Sequence, residues 1–339
     1  MKNISLYLVL MLATVLMASC EDYGNAEMHT IVNADGSCTR QISCKTNAPS
    51  LAFNDSWTCT PADSARSTYT RTFENVEQMS KDMPILLNKK PLESKSSLVK
   101  KFRWFYTEYT FTEEFASIGN TLPLPPTNYA EPDEVNYWFV GKPDLVAGMN
   151  GAEALDKTKQ IGDKMDCWLH YNLIYSGLDY VSSNYDSVMN PPVSRNDFTL
   201  LRDSLANFIR KKTAQEPYQS DYAKVFEEFF SSNAYAVFFH ENDSAGCAQG
   251  LNKHLDPLLH FSDLSVPYML VMPGKVVDVG NGSYNDGVIT YPLTGERLIP
   301  AAYTITATSR ITHAWAYVLT VLIILVAIVS GFLYRKETK

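Results

Sequence analysis

The chain has 339 residues, of which 45% are hydrophobic and 19% charged, and its formal net charge is −8. That composition supports a packed core and sets global disorder aside. The acidic balance argues against a nucleic-acid partner and against broad adhesion to anionic lipid. Aromatic residues make up 12% of the chain, including 20 Tyr.

Residues 1–20 read MKNISLYLVLMLATVLMASC. Lys2 leads into an apolar run from Ile4 to Met17, followed by the small residues Ala18 and Ser19, the pattern of a secretory signal. Leu16-Met17-Ala18-Ser19-Cys20 resembles the bacterial lipobox, although Met17 departs from the commoner Leu. The expectation is that residues 1–19 form a lipoprotein signal peptide and that Cys20 is acylated, with palmitate among its chains. Five further cysteines remain: Cys38, Cys44, Cys59, Cys167 and Cys247. No CxxC occurs, so neither a thioredoxin-type pair nor a zinc ribbon is indicated. Cys38 and Cys44 share an expected strand and stand ~20 Å apart at ~3.3 Å per residue, too far for a disulfide. Cys59 is therefore expected to bond to one of them, with Cys44 the better partner because it closes the shorter loop.

Residues 28–46 read as a β-hairpin with Asp35-Gly36 in the turn. Residues 66–76 are strand-like, and 77–98, with Pro84 and Pro91, read as a loop. Lys89, Lys90, Lys95, Lys100, Lys101 and Arg103 form a basic stretch that reads as solvated. KFRWFYTEYTFTEEF, 101–115, reads as one central strand with aromatics on both faces. Pro123, Pro125, Pro126 and Pro132 mark a linker over 121–136.

Apolar residues take helical spacing from about 150 to 262. Ile161, Met165, Trp168, Leu169 and Leu173 fall on a first helix. Asn196 is placed to cap a second and Ser220 a third, whose apolar face carries Val225, Phe226, Phe229 and Phe230. A shorter helix is expected over 248–259. Strand character returns from 266 to 310, with Tyr268 to Met272 and Lys275 to Val279 flanking Pro273-Gly274, turn signals at Asn281-Gly282 and Asp286-Gly287, and alternation through Tyr303 and Ile305.

Ala314 to Tyr334 carries no charge and would span ~32 Å as a helix at ~1.5 Å per residue. Trp315, Tyr317 and Tyr334 sit at its ends, and Arg335, Lys336 and Lys339 follow. The expectation is a single-pass protein of a bacterial inner membrane, with its body in the periplasm and its C-terminus cytoplasmic. The expected fold class is α+β: a β-rich, membrane-proximal domain with a helical insertion, plus one C-terminal transmembrane helix. The corresponding segments are a signal at 1–19, β-rich 20–145, helical 146–263, β 264–313, a membrane helix at 314–334 and a tail at 335–339. A separate helical domain is the alternative to an insertion.

The stretches MLVMPGKVVDVGNG and AYTITATSR, with Asn33-Ala34-Asp35-Gly36 and Pro273-Gly274-Lys275, resemble the LppM-like envelope lipoproteins. The likeness covers at most 28–46 and 266–335, and the helical block departs from it. KKFRWFYTEYTF and YWFVGKPDLVAGMNGAEAL also look like lipoproteins of gut anaerobes. The LppM-like resemblance implies an α/β body that holds a lipid, and it brings no catalytic residues.

No GxSxG, Walker A or HExxH motif occurs. His240, Glu241, Asp243, Cys247, His254, Asp256 and His260 are of metal-ligating types, but their spacing follows no ligand pattern, so no metal is expected. Gly280-Asn281-Gly282 belongs to hairpins rather than to a dinucleotide fingerprint. Glu113-Glu114 and Glu227-Glu228 read as solvated acidic pairs, and the Phe226 to Phe230 stripe as core. Asp-Ser-aliphatic triplets resemble an O-glycosylation site, with Ser64 and Ser244 as the acceptors placed in loops. Together these readings point to a non-enzymatic, membrane-anchored envelope lipoprotein, with no cofactor and no nucleic-acid partner, that binds a lipid or another envelope component. A scaffold that binds an envelope protein through the helical block is the alternative. An apolar cavity between sheet and helices would favour the first reading, and an exposed apolar patch on 196–231 the second.

Overall fold

The computed structural model describes residues 25–337 except 47, 63–64, 88–89, 142, 215–219, 241–245 and 260. The fold is α+β, with 43% helix and 29% strand. The expected signal, Cys20, Ser64 and Ser244 lie outside the described residues.

The chain opens with a hairpin of β1 (Glu27–Val32) and β2 (Cys38–Lys45). Gly36 takes φ +105°, and the Asp35 carboxylate accepts from Ser37 N–H, so the expected turn forms with the chemistry expected of it. There follow β3 (Thr58–Pro61), β4 (Arg66–Phe73), α1 (Val76–Ser80), the two-residue strands β5 (Leu86–Leu87) and β6 (Lys90–Pro91), β7 (Ser94–Phe102) and β8 (Tyr106–Phe115). The 77–98 segment is thus more ordered than a loop. The single strand expected over 101–115 is instead a sharp hairpin. Arg103 and Tyr106 exchange backbone hydrogen bonds, leaving Trp104 and Phe105 in the turn.

After the helical block come β9 (Ser265–Val271), β10 (Lys275–Asp278), β11 (Ser283–Asn285), β12 (Val288–Thr294) and β13 (Tyr303–Thr312). Asp286 and Gly287 both have positive φ in the two-residue β11–β12 turn. The strands make a seven-stranded sheet, β11-β12-β9-β1-β2-β4-β3, and a four-stranded sheet, β10-β13-β8-β7. β1 and β9 pair in parallel, and every other named pairing within these sheets is antiparallel. β9 and β10 do not form a hairpin. The chain changes sheet at Pro273-Gly274, where Gly274 has φ +80° and a Cβ would meet the Arg310 carbonyl oxygen at 2.4 Å.

Strands from both ends of the chain share both sheets, so the helices lying between β8 and β9 in sequence are an insertion. They begin earlier than expected, with α2 (Pro132–Val140), because Pro132 starts a helix rather than ending a linker. The others are α3 (Gly151–Ser183), α4 (Arg195–Leu200), α5 (Arg202–Lys212), α6 (Tyr222–Phe230) and α7 (Cys247–Leu259). Asn150, Ser194 and Asp221 cap α3, α4 and α6, so the second and third caps differ from the expected Asn196 and Ser220.

Met28, Ile42, Tyr268 and Leu270 from the larger sheet pack with Phe111, Phe115, Ile305 and Ala307 from the smaller one in a single core. Two charges lie inside it. Arg40 on β2 and Glu113 on β8 form a 2.6 Å ion pair with both side chains fully buried. Tyr268 donates to the same Glu113 oxygen at 2.6 Å, Ser94 donates to the other at 3.0 Å, and Arg40 Nε donates to Thr30 at 3.2 Å. Burial opposes the Arg40 charge, but the adjacent carboxylate outweighs it and holds the guanidinium protonated. Glu113 is therefore no solvated acid.

Cys44 is buried on β2 and Cys59 exposed on β3, and β4 lies between those two strands. Their register partners on β4 are Ser67 and Tyr69, so the expected disulfide is not formed and both are free thiols.

The last helix is α8 (Ala314–Glu337). Among the described residues no helix is long and apolar enough to cross a membrane. The expected transmembrane helix is thus not upheld. Nor is the localisation built on it, with inner membrane, periplasmic body and cytoplasmic tail.

Replacing Arg40 alone by Met is expected to destabilise the protein by about 3–5 kcal/mol, because Glu113 is left buried and unpaired. The double variant Arg40→Met, Glu113→Leu should lose far less. Denaturant unfolding of the two variants checks this; equal losses would contradict it.

Candidate ligand-binding cavity

The helical block has two apolar clusters threaded by one helix. A capping box starts α3: Asn150 Oδ1 accepts from the Ala152 and Glu153 amides, and Glu153 accepts from Asn150 N–H. The first half of α3 contributes Ile161, Met165 and Trp168 to a cluster with Val135, Phe139 and Ile299. Ile299 lies between β12 and β13, so this cluster joins the insertion to the β body. The Trp168 indole donates to the Leu124 carbonyl, and Asn172 bonds both backbone groups of Leu124. The proline-rich connection is thereby fixed to α3.

The second half of α3 turns Ile174, Leu178 and Val181 into the other cluster, with Leu205 and Ile209 from α5, Phe226 from α6 and Leu251 from α7. This packing is incomplete. A cavity of about 410 Å³ lies among these helices. Leu173, Ile174, Gly177, Leu178 and Val181 form its α3 wall, Ala248, Leu251 and Leu255 its α7 wall, and Phe226, Phe238 and Phe239 its aromatic side. Polar groups come from Ser220, Asp221, His240 and Asn252. Gly250 brings α7 close to α3, since a Cβ there would meet the Tyr180 hydroxyl at 1.9 Å. The volume lies in the usual range for small-molecule sites, ~300–1,000 Å³, and the balance of apolar walls with a few polar groups is also typical. The arrangement can hold an apolar ligand with a polar end toward Asp221 and His240. It lies within the helical block, not between sheet and helices as expected, because the sheets' inner faces are filled by one another.

Phe226 both packs in the core and lines the cavity, while Phe229 and Phe230 pack against the core, as expected for the stripe at 226–230. Of the possible metal-ligating residues, Glu241, Asp243 and His260 lie outside the described residues. Among the described residues, no group of three or more His, Cys, Asp or Glu could hold a metal ion. The patch criterion for a scaffold finds Leu200 exposed by 82%, while Phe208, Phe229 and Phe230 are half-buried against the core.

Outside the cavity lining, α3 carries a buried titratable group. His170 on α3 is buried and its Nε2 lies 2.9 Å from the Thr213 hydroxyl. That hydroxyl donates to the Ile209 carbonyl, so it accepts from a neutral His170 Nε2–H. Burial, and secondarily the Arg210 charge, lowers the His170 pKa to about 4.

No family model matches the chain, and neither a curated protein nor a solved structure shows significant similarity to it.

Because His170 is neutral when folded and protonates near 6.5 when unfolded, the unfolded state binds the extra proton first as pH falls. Its contribution is present above about pH 6.5 and is lost as pH drops toward 4, by up to about 3 kcal/mol. Burial raises the Asp166 pKa, which acts in the opposite sense just above its ordinary value. Comparing wild type with His170→Gln isolates the histidine. The variant should show a flatter fall in denaturation midpoint between pH 7 and pH 5, and parallel profiles would contradict the assignment.

Proposed function

We propose that the protein is a non-enzymatic lipoprotein, attached through Cys20, whose helical insertion holds an apolar, acyl-chain ligand. The observation that carries this reading is the cavity of about 410 Å³ walled by α3, α6 and α7. The space is a half-open pocket whose lining is mostly apolar, the kind of concave site that takes small ligands. Its walls offer hydrocarbon contact, and Asp221 and His240 offer polar contact at one region. The β body supplies a rigid base: the Arg40–Glu113 pair locks its two sheets, and the cluster around Trp168 and Ile299 holds the insertion against it.

Gly177 provides the test. It lines the cavity from α3, and a Cβ there would sit 3.9 Å from Leu251 Cδ1, an ordinary contact. Gly177→Leu should therefore fill the space without a backbone clash and should favour the helix by up to about 1 kcal/mol. The full-length variant is expected to fold at least as stably as wild type and to bind a fluorescent fatty-acid analogue about tenfold more weakly or worse. Unchanged binding in a well-folded variant would place the ligand elsewhere.

A further inference from the structure

The β7–β8 turn breaks the usual turn chemistry. Two-residue hairpin turns favour Asn, Asp and Gly, yet here the turn is Trp104-Phe105. Such a departure is expected where the side chains serve something beyond the turn itself. The tip is also fixed in place. His313 N–H donates to the Phe105 carbonyl at 2.8 Å, and the Trp104 indole donates to Thr320 at 2.8 Å. Trp104 packs edge-on against Trp315 at 5.5 Å, Phe105 against Tyr317 at 4.7 Å, and Phe102 stacks on His313 at 5.1 Å. The hairpin tip and the first turns of α8 thus make one aromatic collar. Phe102, Trp104, Trp315 and Tyr317 remain 64%, 44%, 52% and 50% exposed.

Beyond the collar, α8 exposes apolar side chains at consecutive positions, including Leu322, Ile323, Ile324, Leu325 and Val326. Consecutive residues on a helix face every direction, so one groove on a protein could cover only part of them. A lipid surface needs no shaped groove and receives those beside the collar. Lys101 and Arg103 are exposed beside the collar. Aromatic rings flanked by cations fit the boundary between anionic headgroups and acyl chains.

We infer that the hairpin tip and the base of α8 form a docking surface for a lipid layer carrying anionic headgroups, with Phe102, Trp104, Trp315 and Tyr317 at headgroup level. This surface is independent of the cavity. It does not require a helix to cross the layer, since docking and crossing are physically distinct. The overall charge of −8 does not oppose it, because the contact is local and screening confines the field to ~8–10 Å.

The full-length chain with vesicles of phosphatidylglycerol and phosphatidylcholine tests this. Lipids brominated near the headgroup should quench the tryptophan fluorescence of the wild type. The conservative variant Trp104→Phe, Trp315→Phe should lose most of that quenching, leaving the emission of Trp57, Trp138 and Trp168. Charge reversal, Lys101→Glu with Arg103→Glu, should weaken partition into phosphatidylglycerol-containing vesicles by on the order of tenfold or more, and added salt should shrink the difference. Circular dichroism confirms that each variant is folded. Quenching that survives in the double Trp variant, or partition indifferent to phosphatidylglycerol, would overturn the inference. Lipid-free self-association in place of vesicle binding would also overturn it and assign the collar to a second copy of the chain.

Discussion

The body of this protein is held in register by two charges that never meet water. Arg40 and Glu113 sit on different sheets, 73 residues apart in sequence, and Tyr268, Ser94 and Thr30 all hydrogen-bond to the pair. Burying either ion alone is costly, so the sheets must approach in the one arrangement that joins both charges. Tyr268 reinforces this from β9, a strand that arrives only after the whole helical insertion. Burial first, and then the Glu113 charge, holds its hydroxyl pKa well above the ordinary range, so it stays protonated and donates. The pair therefore ties the first strands of the chain to the last.

The cavity lies within the helical insertion. The inner faces of the sheets pack against one another through Phe111, Phe115, Tyr268 and Ile305. The insertion packs around α3, whose first half docks on the β body and whose second half carries the gap. Rigidity near Trp168 and incomplete packing near Gly177 sit on the same helix, some two turns apart. A ligand held by the second half would thus be positioned by the first.

Much of this was legible in the residues. The β1–β2 hairpin, the helical spacing from 150 to 262 and the alternation of β13 all follow from periodicity and turn chemistry. The buried ion pair is legible too, against the general expectation for acidic pairs. Phe111, Glu113 and Phe115 share one face of a strand, as do Cys38, Arg40 and Ile42, so each charge stands at a core position between apolar neighbours. Pairs of acidic residues usually face solvent, and that general expectation overrode the local pattern. The β7–β8 turn was hidden for the opposite reason: Trp104 and Phe105 carry no turn signal, so 101–115 reads as continuous. Pro273-Gly274 does signal a turn, but no local rule says that the strands on either side join different sheets. The cavity was not legible, because a void is what remains after distant side chains have packed. Nor could spacing alone show that β4 separates Cys44 from Cys59.

A ligand in the pocket of the helical insertion is what gives that pocket a purpose beyond packing. Native mass spectrometry of the purified full-length chain, after incubation with a mixed acyl-lipid extract, measures this directly. A one-to-one adduct with the mass of an acyl-chain lipid is expected, retained by wild type and absent from a variant whose cavity is filled from α3. An adduct-free wild-type spectrum, or an adduct equally abundant in the filled variant, would contradict it.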